Sequence, residues 1–234
     1  MREIKTNDGS ITFLNEDINE FYNPLTGAID RAFNAYINKI DYSNKNELKV
    51  LDIGFGLGYN SLCLTYECLK RNINVEIVAV DKDIGAINMI PRLNIPDYLV
   101  YSHSLLLEGI KSKRTEHKNF RFRLETGNIL DIADKLKEKF DIIILDPFSY
   151  SKNKEMYSSN LLIKLKKLFN KYGFLICYNS NPVFVSNLLE NSFFIKKYEI
   201  SKHEHGIMAS PFLKFELDDS SKKLARAFGK DINP

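Results

Sequence analysis

Cysteine is scarce in this chain. Cys63, Cys68 and Cys177 are the three present among 234 residues, with no Cys-x-x-Cys pair. An odd, sparse set of this kind supports neither a disulfide framework nor a thiolate zinc site, so all three are expected to be reduced core residues. Long apolar runs are also missing. The most apolar stretch, Phe140 to Phe148, is far shorter than the roughly 20 residues a spanning helix needs. Met1-Arg2-Glu3 leads into mixed sequence without the apolar core of a secretion signal, and a cytoplasmic protein with no membrane partner is expected. Excess charge of one sign is small as well: 33 Lys and Arg against 30 Asp and Glu leave +3. That balance does not announce a nucleic-acid partner, and the placement of the charges carries more information than their sum.

Two segments are locally basic. Lys111, Lys113, Arg114, Lys118, Arg121 and Arg123 face only Glu116 in one, and Lys152, Lys154, Lys164, Lys166, Lys167 and Lys171 face only Glu155 in the other. Each can be a solvated surface or a phosphate-binding face, and charge alone does not choose.

With 44% hydrophobic and 27% charged residues, the chain is rich enough in apolar groups for one large core. Ile4 to Leu14 alternates around Asn7-Asp8-Gly9-Ser10, which predicts a hairpin. Ala28 to Ile40 carries apolar residues at helical spacing and predicts a helix. Short apolar runs then recur at Leu48 to Ile53, Val75 to Val80, Phe120 to Leu124, Phe140 to Leu145 and Gly173 to Tyr178, the pattern of buried parallel strands. Helices are expected between them at Tyr59 to Arg71, Ile84 to Ile90, Ile129 to Lys139, Ser158 to Lys171 and Pro182 to Asn191. Two closing strands, Phe193 to Ile200 and Ile207 to Leu217, precede a short basic tail. No repeat or linker interrupts the chain, so 1–234 reads as one domain, with an extension over 1–46 and a core over 47–220.

Val50-Leu51-Asp52-Ile53-Gly54-Phe55-Gly56-Leu57-Gly58 puts a glycine-rich turn between the first core strand and its helix. Glycines let a ligand approach the backbone, and the helix start offers free N–H groups and a partial positive field. The Gly-x-Gly-x-Gly spacing favours S-adenosylmethionine over a dinucleotide. Asp81, ending the second core strand, is placed to accept hydrogen bonds from ribose hydroxyls. Asp146, directly after Phe140 to Leu145, is expected beside the cofactor, because ligands of open α/β sheets lie beyond the carboxyl ends of the strands. An acidic group followed by proline and aromatics suits an amine on a planar base.

From these residues a resemblance follows. Asp146-Pro147-Phe148-Ser149-Tyr150-Ser151-Lys152-Asn153-Lys154-Glu155-Met156-Tyr157 is similar to the Asp-x-Phe-x-Pro-x-Lys-Asn-Pro-x-Met-Trp signature of the MnmC-like methyltransferases, which complete 5-methylaminomethyl-2-thiouridine at the tRNA wobble position. Thr6-Asn7-Asp8-Gly9-Ser10-Ile11-Thr12, Glu20-Phe21-Tyr22, Gly27-Ala28 and Asp52 to Asn60 resemble that family in type and order. The resemblance implies a Rossmann-like class I methyltransferase fold, with a seven-stranded, mostly parallel sheet, an antiparallel last strand and an N-terminal hairpin. It further implies S-adenosylmethionine as cofactor, no metal, tRNA as partner and Asp146 as the functional aspartate. Gly54, Phe55, Gly56, Gly58 and Asn60 are expected on the cofactor side, with Asp81, Lys82, Asn128, Ile129 and Asp146. Tyr22, Phe148, Tyr150, Lys152, Asn153 and Tyr157 are expected on the substrate side.

Tyr150 and Lys154 stand where the family has prolines and Tyr157 where it has tryptophan. Asn128 replaces an aspartate that faces the adenine amino group, and its amide oxygen can accept the same bond. His203-Glu204-His205 replaces a stretch rich in Arg and Lys, and both histidines are expected on one face of a strand. Bifunctional members add a flavin oxidase domain for which 234 residues leave no room. Two other readings stand: an amino-methyltransferase for adenine or a small amine, since Asp146-Pro147-Phe148 is similar to an Asp-Pro-Pro-Tyr corner, and a catalytically silent RNA-binding module of the same fold. The sequence leaves oligomeric state open, with a monomer slightly favoured.

Overall fold

Residues 1–216 and 218–228 are described by the structure, a computed structural model. The chain divides into two compact units, Met1–Asn128 and Ile129–Pro234.

The first unit begins with a ribbon. Strands β1 (Arg2–Lys5) and β2 (Ile11–Asn15) pair antiparallel, and β3 (Glu20–Phe21) adds to β2. The turn of this hairpin needs Gly9, whose φ is +86. Helix α1 (Ala28–Ala35) has no capping side chain of its own. Its first N–H groups are satisfied from the hairpin: Ala28 N donates to Ser10 Oγ at 3.1 Å and Asp30 N to Asp8 Oδ2 at 2.9 Å. The helix expected to reach Ile40 ends at Ala35, and a 3-10 turn, Ile37–Lys39, completes it.

Then come β4 (Glu47–Ile53), α2 (Tyr59–Lys70), β5 (Asn74–Asp81), α3 (Ile84–Ile87), α4 (Val100–Ser112), β6 (Arg114–His117) and β7 (Phe120–Thr126). Strands β4, β5 and β7 pair parallel, and β6 is antiparallel to β7. Val50, Leu51 and Ile53 of β4 and Ile77, Val78, Ala79 and Val80 of β5 are all buried, as consecutive positions must be when both faces are covered. Tyr59, at the start of α2, ties the ribbon to this layer, donating to Ile11 O at 2.8 Å and accepting from Ile11 N at 3.2 Å.

The second unit holds α5 (Ile129–Ile132), β8 (Phe140–Leu145), α6 (Ser159–Lys166), β9 (Phe169–Cys177), α7 (Pro182–Glu190), β10 (Phe194–Ser201), β11 (Glu204–Ser210) and α8 (Asp219–Phe228). Strands β8 and β9 are parallel, β11 is antiparallel to β9, and β10 to β11. Ser158 and Asn181 cap α6 and α7, the second with Pro182 in the first turn, where its missing N–H costs nothing.

The α/β class and the mostly parallel pairing are as expected. The strand count is not: eight strands follow the ribbon instead of seven, because β6 turns back onto β7. Helix α6 stops at Lys166 and β9 starts at Phe169, so both boundaries fall before those read from sequence. The closing strand ends at Ser210; Leu217, its expected last residue, lies outside the described residues, as does 229–234 of the expected tail. A helix, α8, occupies most of the rest, with buried Ser221 Oγ accepting from Lys197 N of β10 at 3.0 Å. His203 sits in the turn before β11, so His203 and His205 do not share a strand face.

Asp8 holds the ribbon together. Burial pushes its carboxyl up, but hydrogen bonds from the Ser10 hydroxyl, Asp30 N, Ser10 N and the Thr6 hydroxyl outweigh that and leave it below its ordinary 3.8. A carboxyl depressed in the folded state stabilises the fold above its unfolded value, and the contribution disappears as pH falls through the folded value. Asp8→Asn is therefore expected to lower Tm at neutral pH by about 2–4 °C for each kcal/mol lost. Thermal unfolding measured between pH 7 and pH 3 should show the gap to wild type closing at the acid end.

Candidate active site

The glycine turn after β4 depends on backbone conformations that L-residues rarely adopt: φ is +80 at Gly54, +51 at Gly56 and +75 at Gly58. The loop is pinned to the end of β5, with Gly54 N and Phe55 N both donating to Val80 O at 3.1 and 3.3 Å. The glycines are present for different reasons. A Cβ on Gly58 would stand 2.9 Å from Phe55 Cζ and 3.2 Å from Leu106 Cδ2. The Phe55 ring is folded under the turn against Phe122, centroids 5.9 Å apart, and is buried, so a ligand can meet Phe55 only through its backbone. At Gly56 the nearest atoms to an added Cβ are Tyr22 Cδ1 at 3.4 Å and Gly54 O at 3.8 Å. That is a cradle a side chain would fill, and it fits the close approach of a nucleoside cofactor. Asn60, in the first turn of α2, is buried below the loop.

Asp81 organises the neighbouring strand end. Its Oδ2 accepts from Gly56 N at 2.6 Å and its Oδ1 from Asp83 N at 2.8 Å. Burial raises its pKa, while bonds from Asp83 N and Gly56 N oppose the rise. A carboxylate offers about four acceptor sites, so even with a further bond from the Lys82 backbone N–H capacity remains for a ribose hydroxyl. Lys82, next in the chain, is exposed. Gly127 N donates to Asp81 O at 2.9 Å, which brings Asn128 to the same sheet end, where β7 pairs with β5 at Asp81 and Thr126.

Asp83 escaped the sequence reading, although an Asp before an apolar helix start is a capping signal. Its Oδ1 caps α3 by accepting from Ala86 N at 3.1 Å, and its Oδ2 accepts from the Tyr22 hydroxyl and from Asn15 Nδ2 at 3.4 Å. Asn15 Nδ2 also donates to the Tyr22 oxygen at 3.0 Å. Burial, then the bond to and charge of Asp83, raise the Tyr22 pKa, so the phenol keeps its proton. Tyr22 is thus brought onto the glycine turn.

In the second unit, Asp146 follows β8 and is partly exposed, and Ile129 is buried at the start of α5. Two tyrosines clamp the chain after Asp146. Tyr178 OH donates to Pro147 O at 3.1 Å and Tyr157 OH to Phe148 O at 2.8 Å. Tyr157 also accepts from Asn179 Nδ2 at 3.1 Å. Its ring is buried between Tyr150 and Phe184, with centroids at 5.6 and 5.3 Å. Burial above all keeps its phenol protonated. Phe148 and Tyr150 retain partial exposure. Lys152 N and Asn153 N both donate to Ser149 O, closing a tight turn. Tyr178 and Asn179 were not singled out from sequence, although they follow a strand end as Asp146 does.

Each basic segment holds paired and unpaired cations: Lys111, Lys113, Arg114 and Lys118 of the first are exposed and have no acidic partner among the described residues. In the first, Arg121 bridges Glu47 and Glu76, and Arg123 pairs with Glu125. In the second, Lys164 pairs with Asp134, and Lys166 donates to Asn191 O and lies over the Phe193 ring. Lys152 and Lys154 are exposed and have no acidic partner among the described residues. Also among the described residues, no cluster of three or more His, Cys, Asp or Glu could hold a metal ion, and no helix is long and apolar enough to cross a membrane.

The glycine geometry makes a contrast that can be measured. Gly58→Ala must displace packed atoms and adopt positive φ, so its Tm is expected to fall further than that of Gly56→Ala, whose cost is confined to backbone strain of about 1–2 kcal/mol. In calorimetry, Gly56→Ala should remain folded yet lose S-adenosylmethionine binding.

Comparison with known proteins bears on which ligand this is. A family model described as S-adenosyl-L-methionine-dependent methyltransferase matches residues 94–210. An uncharacterized protein of Methanocaldococcus jannaschii is 23% identical over 211 residues, covering 87% of this chain and 57% of that protein. The tRNA 5-methylaminomethyl-2-thiouridine biosynthesis bifunctional protein MnmC of Leptospira borgpetersenii is 29% identical over 139 residues, 55% of this chain and 21% of that protein. Its namesake in Campylobacter fetus is 23% identical over 221 residues, 91% of this chain and 35% of that one. The chain thus spans less than two thirds of the length of each of these relatives. The crystal structure of MnmC2 from Aquifex aeolicus superposes with a TM-score of 0.82 at 22% identity, over 95% of this chain and 74% of that one, a match of fold. With half of its length matched by the family model, this chain belongs to the S-adenosyl-L-methionine-dependent methyltransferases and is related to the methyltransferase part of MnmC.

Proposed function

We propose that the enzyme methylates the primary amine of a 5-aminomethyl uridine, thiolated or not, at the wobble position of tRNA. The observation that carries this reading is the corner after β8. An aspartate is followed by a clamped turn bearing two partly exposed rings, and then by Lys152 and Lys154, cations with no acidic partner among the described residues. An amine, a planar base and a phosphate backbone require a carboxylate, ring faces and lysines respectively. The names of the MnmC relatives point to the same substrate.

When bound, S-adenosylmethionine supplies an electrophilic methyl group. The turn around Gly56 and the carboxylate of Asp81 would hold it through its nucleoside, and Asn128 through the adenine amino group. An acceptor amine must present a free lone pair, whereas an alkylamine has a pKa of about 10.4 and is mostly protonated in neutral water. Desolvation lowers that value and a carboxylate raises it. The role of Asp146 is therefore to aim the amine and to stabilise the positive charge that grows on nitrogen, rather than to act as a strong base. The amine proton leaves through water. Phe148 and Tyr150 offer ring surface to the base; the Tyr157 ring is buried and serves them from behind by fixing the Phe148 carbonyl.

The decisive experiment is incubation with labelled S-adenosylmethionine and tRNA from a strain lacking the final methylation, followed by mass spectrometry of the nucleosides. Label in 5-methylaminomethyl uridine is the expected result. Label in adenine or in a small amine would replace the proposal, and tRNA binding without any transfer would indicate a silent module.

Two variants refine it. Asp146→Ala is expected to lower single-turnover methyl transfer by more than about tenfold, each tenfold being about 1.4 kcal/mol, while cofactor affinity stays within a few-fold. Undiminished transfer would remove Asp146 from the chemistry. Removing both Lys152 and Lys154 should reduce the salt dependence of tRNA binding by about 0.7 log unit per decade of salt for each phosphate that is no longer neutralised.

A further inference from the structure

The geometry points to Tyr22 of the ribbon, with Asp83 behind it, as part of the methyl-donor site: Tyr22 lies on Gly56 as a cofactor-contacting residue, and Asp83 is the positioning residue that holds it there. This rests on S-adenosylmethionine binding at the glycine turn and moves Tyr22 from the substrate side to the cofactor side. Three observations carry it. The Tyr22 ring is the nearest side chain to the cradle at Gly56, 3.4 Å from where a Cβ would stand. Its hydroxyl is fixed by Asp83 and Asn15, so the ring cannot swing away without breaking both bonds. Asp83 in turn donates its backbone N–H to Asp81, whose other oxygen holds Gly56 N. Ring, turn and the proposed ribose-binding carboxylate are therefore one hydrogen-bonded unit.

The test uses the full chain and S-adenosylhomocysteine as calorimetric probe, with Tyr22→Phe, Tyr22→Ala and Asp83→Asn. Tyr22→Ala and Asp83→Asn are expected to weaken probe binding by about tenfold or more, the loss of a hydrogen bond to a charged group. Tyr22→Phe, which keeps the ring, should lie between them and wild type. In steady-state assays KM for S-adenosylmethionine should rise while kcat at saturating donor and KM for tRNA stay within a few-fold.

Unchanged probe affinity in Tyr22→Phe and Asp83→Asn overturns the proposal, as does a raised KM for tRNA with unaltered donor KM. Those two variants decide even if Tyr22→Ala unfolds. A wild-type chain that binds no probe would overturn the donor reading itself, a failure distinguishable from loss confined to the variants.

Discussion

One partly buried carboxylate organises the candidate cofactor corner. Asp81 accepts Gly56 N–H on one oxygen and Asp83 N–H on the other, so a single side chain fixes both the turn after β4 and the turn after β5. Burial makes that charge expensive, which is why its pKa rises, and hydrogen bonds from backbone N–H groups offset the cost. The left-handed glycines follow from it. A turn whose amide must point at the neighbouring strand end, while its outer surface stays clear for a ligand, passes through conformations that only glycine adopts cheaply. Asp83 then extends the arrangement outward, capping α3 and holding Tyr22, and so couples the N-terminal ribbon to the cofactor corner.

Charge is used selectively in the rest of the chain. Within each basic segment some cations meet acids from neighbouring elements and others do not. Arg121 reaches Glu47 on β4 and Glu76 on β5, partners that are far away in sequence, so its segment belongs to the sheet surface. Exposed pairs of this kind add little stability, but they cancel the field that a phosphate backbone would feel. Lys152 and Lys154 keep theirs, and they stand only a few residues beyond Asp146. The small net charge of +3 is thus compatible with a local anion-binding face, because the charges of Lys152 and Lys154 are not offset by an adjacent acid among the described residues.

Much of the fold was legible because its strands are buried on both faces and its turns carry glycine or proline. The ribbon, α2, β5, β8 and α7 all follow from such signals. Helix α4 did not. Its buried positions are Ser102, Leu105, Leu106 and Gly109, an i, i+3, i+4, i+7 face on which two of four residues are not apolar. Gly109 is there because a Cβ would stand 2.4 Å from Phe122 Cδ1, a reason invisible without the partner strand. Strand β6 is short and polar and exists through its pairing with β7. In the candidate site, the residues with a motif, Gly54 to Gly58, Asp81 and Asp146, are those that reading along the chain can propose. Asp83, Tyr178 and Asn179 act through hydrogen bonds to distant backbone or to residues such as Tyr22, and composition does not encode those.

The corner after β8 shows how a loop can keep its shape without the residues that usually fix it. In the family it resembles, prolines stand at the positions of Tyr150 and Lys154, where they would restrict φ. Here the restraint comes from hydrogen bonds. Ser149 O gathers the amides of Lys152 and Asn153, Tyr178 holds the Pro147 carbonyl and Tyr157 the Phe148 carbonyl. Tyr157 is itself locked by Asn179 Nδ2 on its oxygen and by Asn187 Nδ2 on its carbonyl at 2.9 Å. A tryptophan at that position could donate through its ring nitrogen but could not accept, so the bond from Asn179 requires the tyrosine. In this chain the Tyr157 phenol, which both donates and accepts, links the turn to the residues after β9, while its carbonyl is held from α7, and these bonds supply rigidity where the ring constraints of proline are missing.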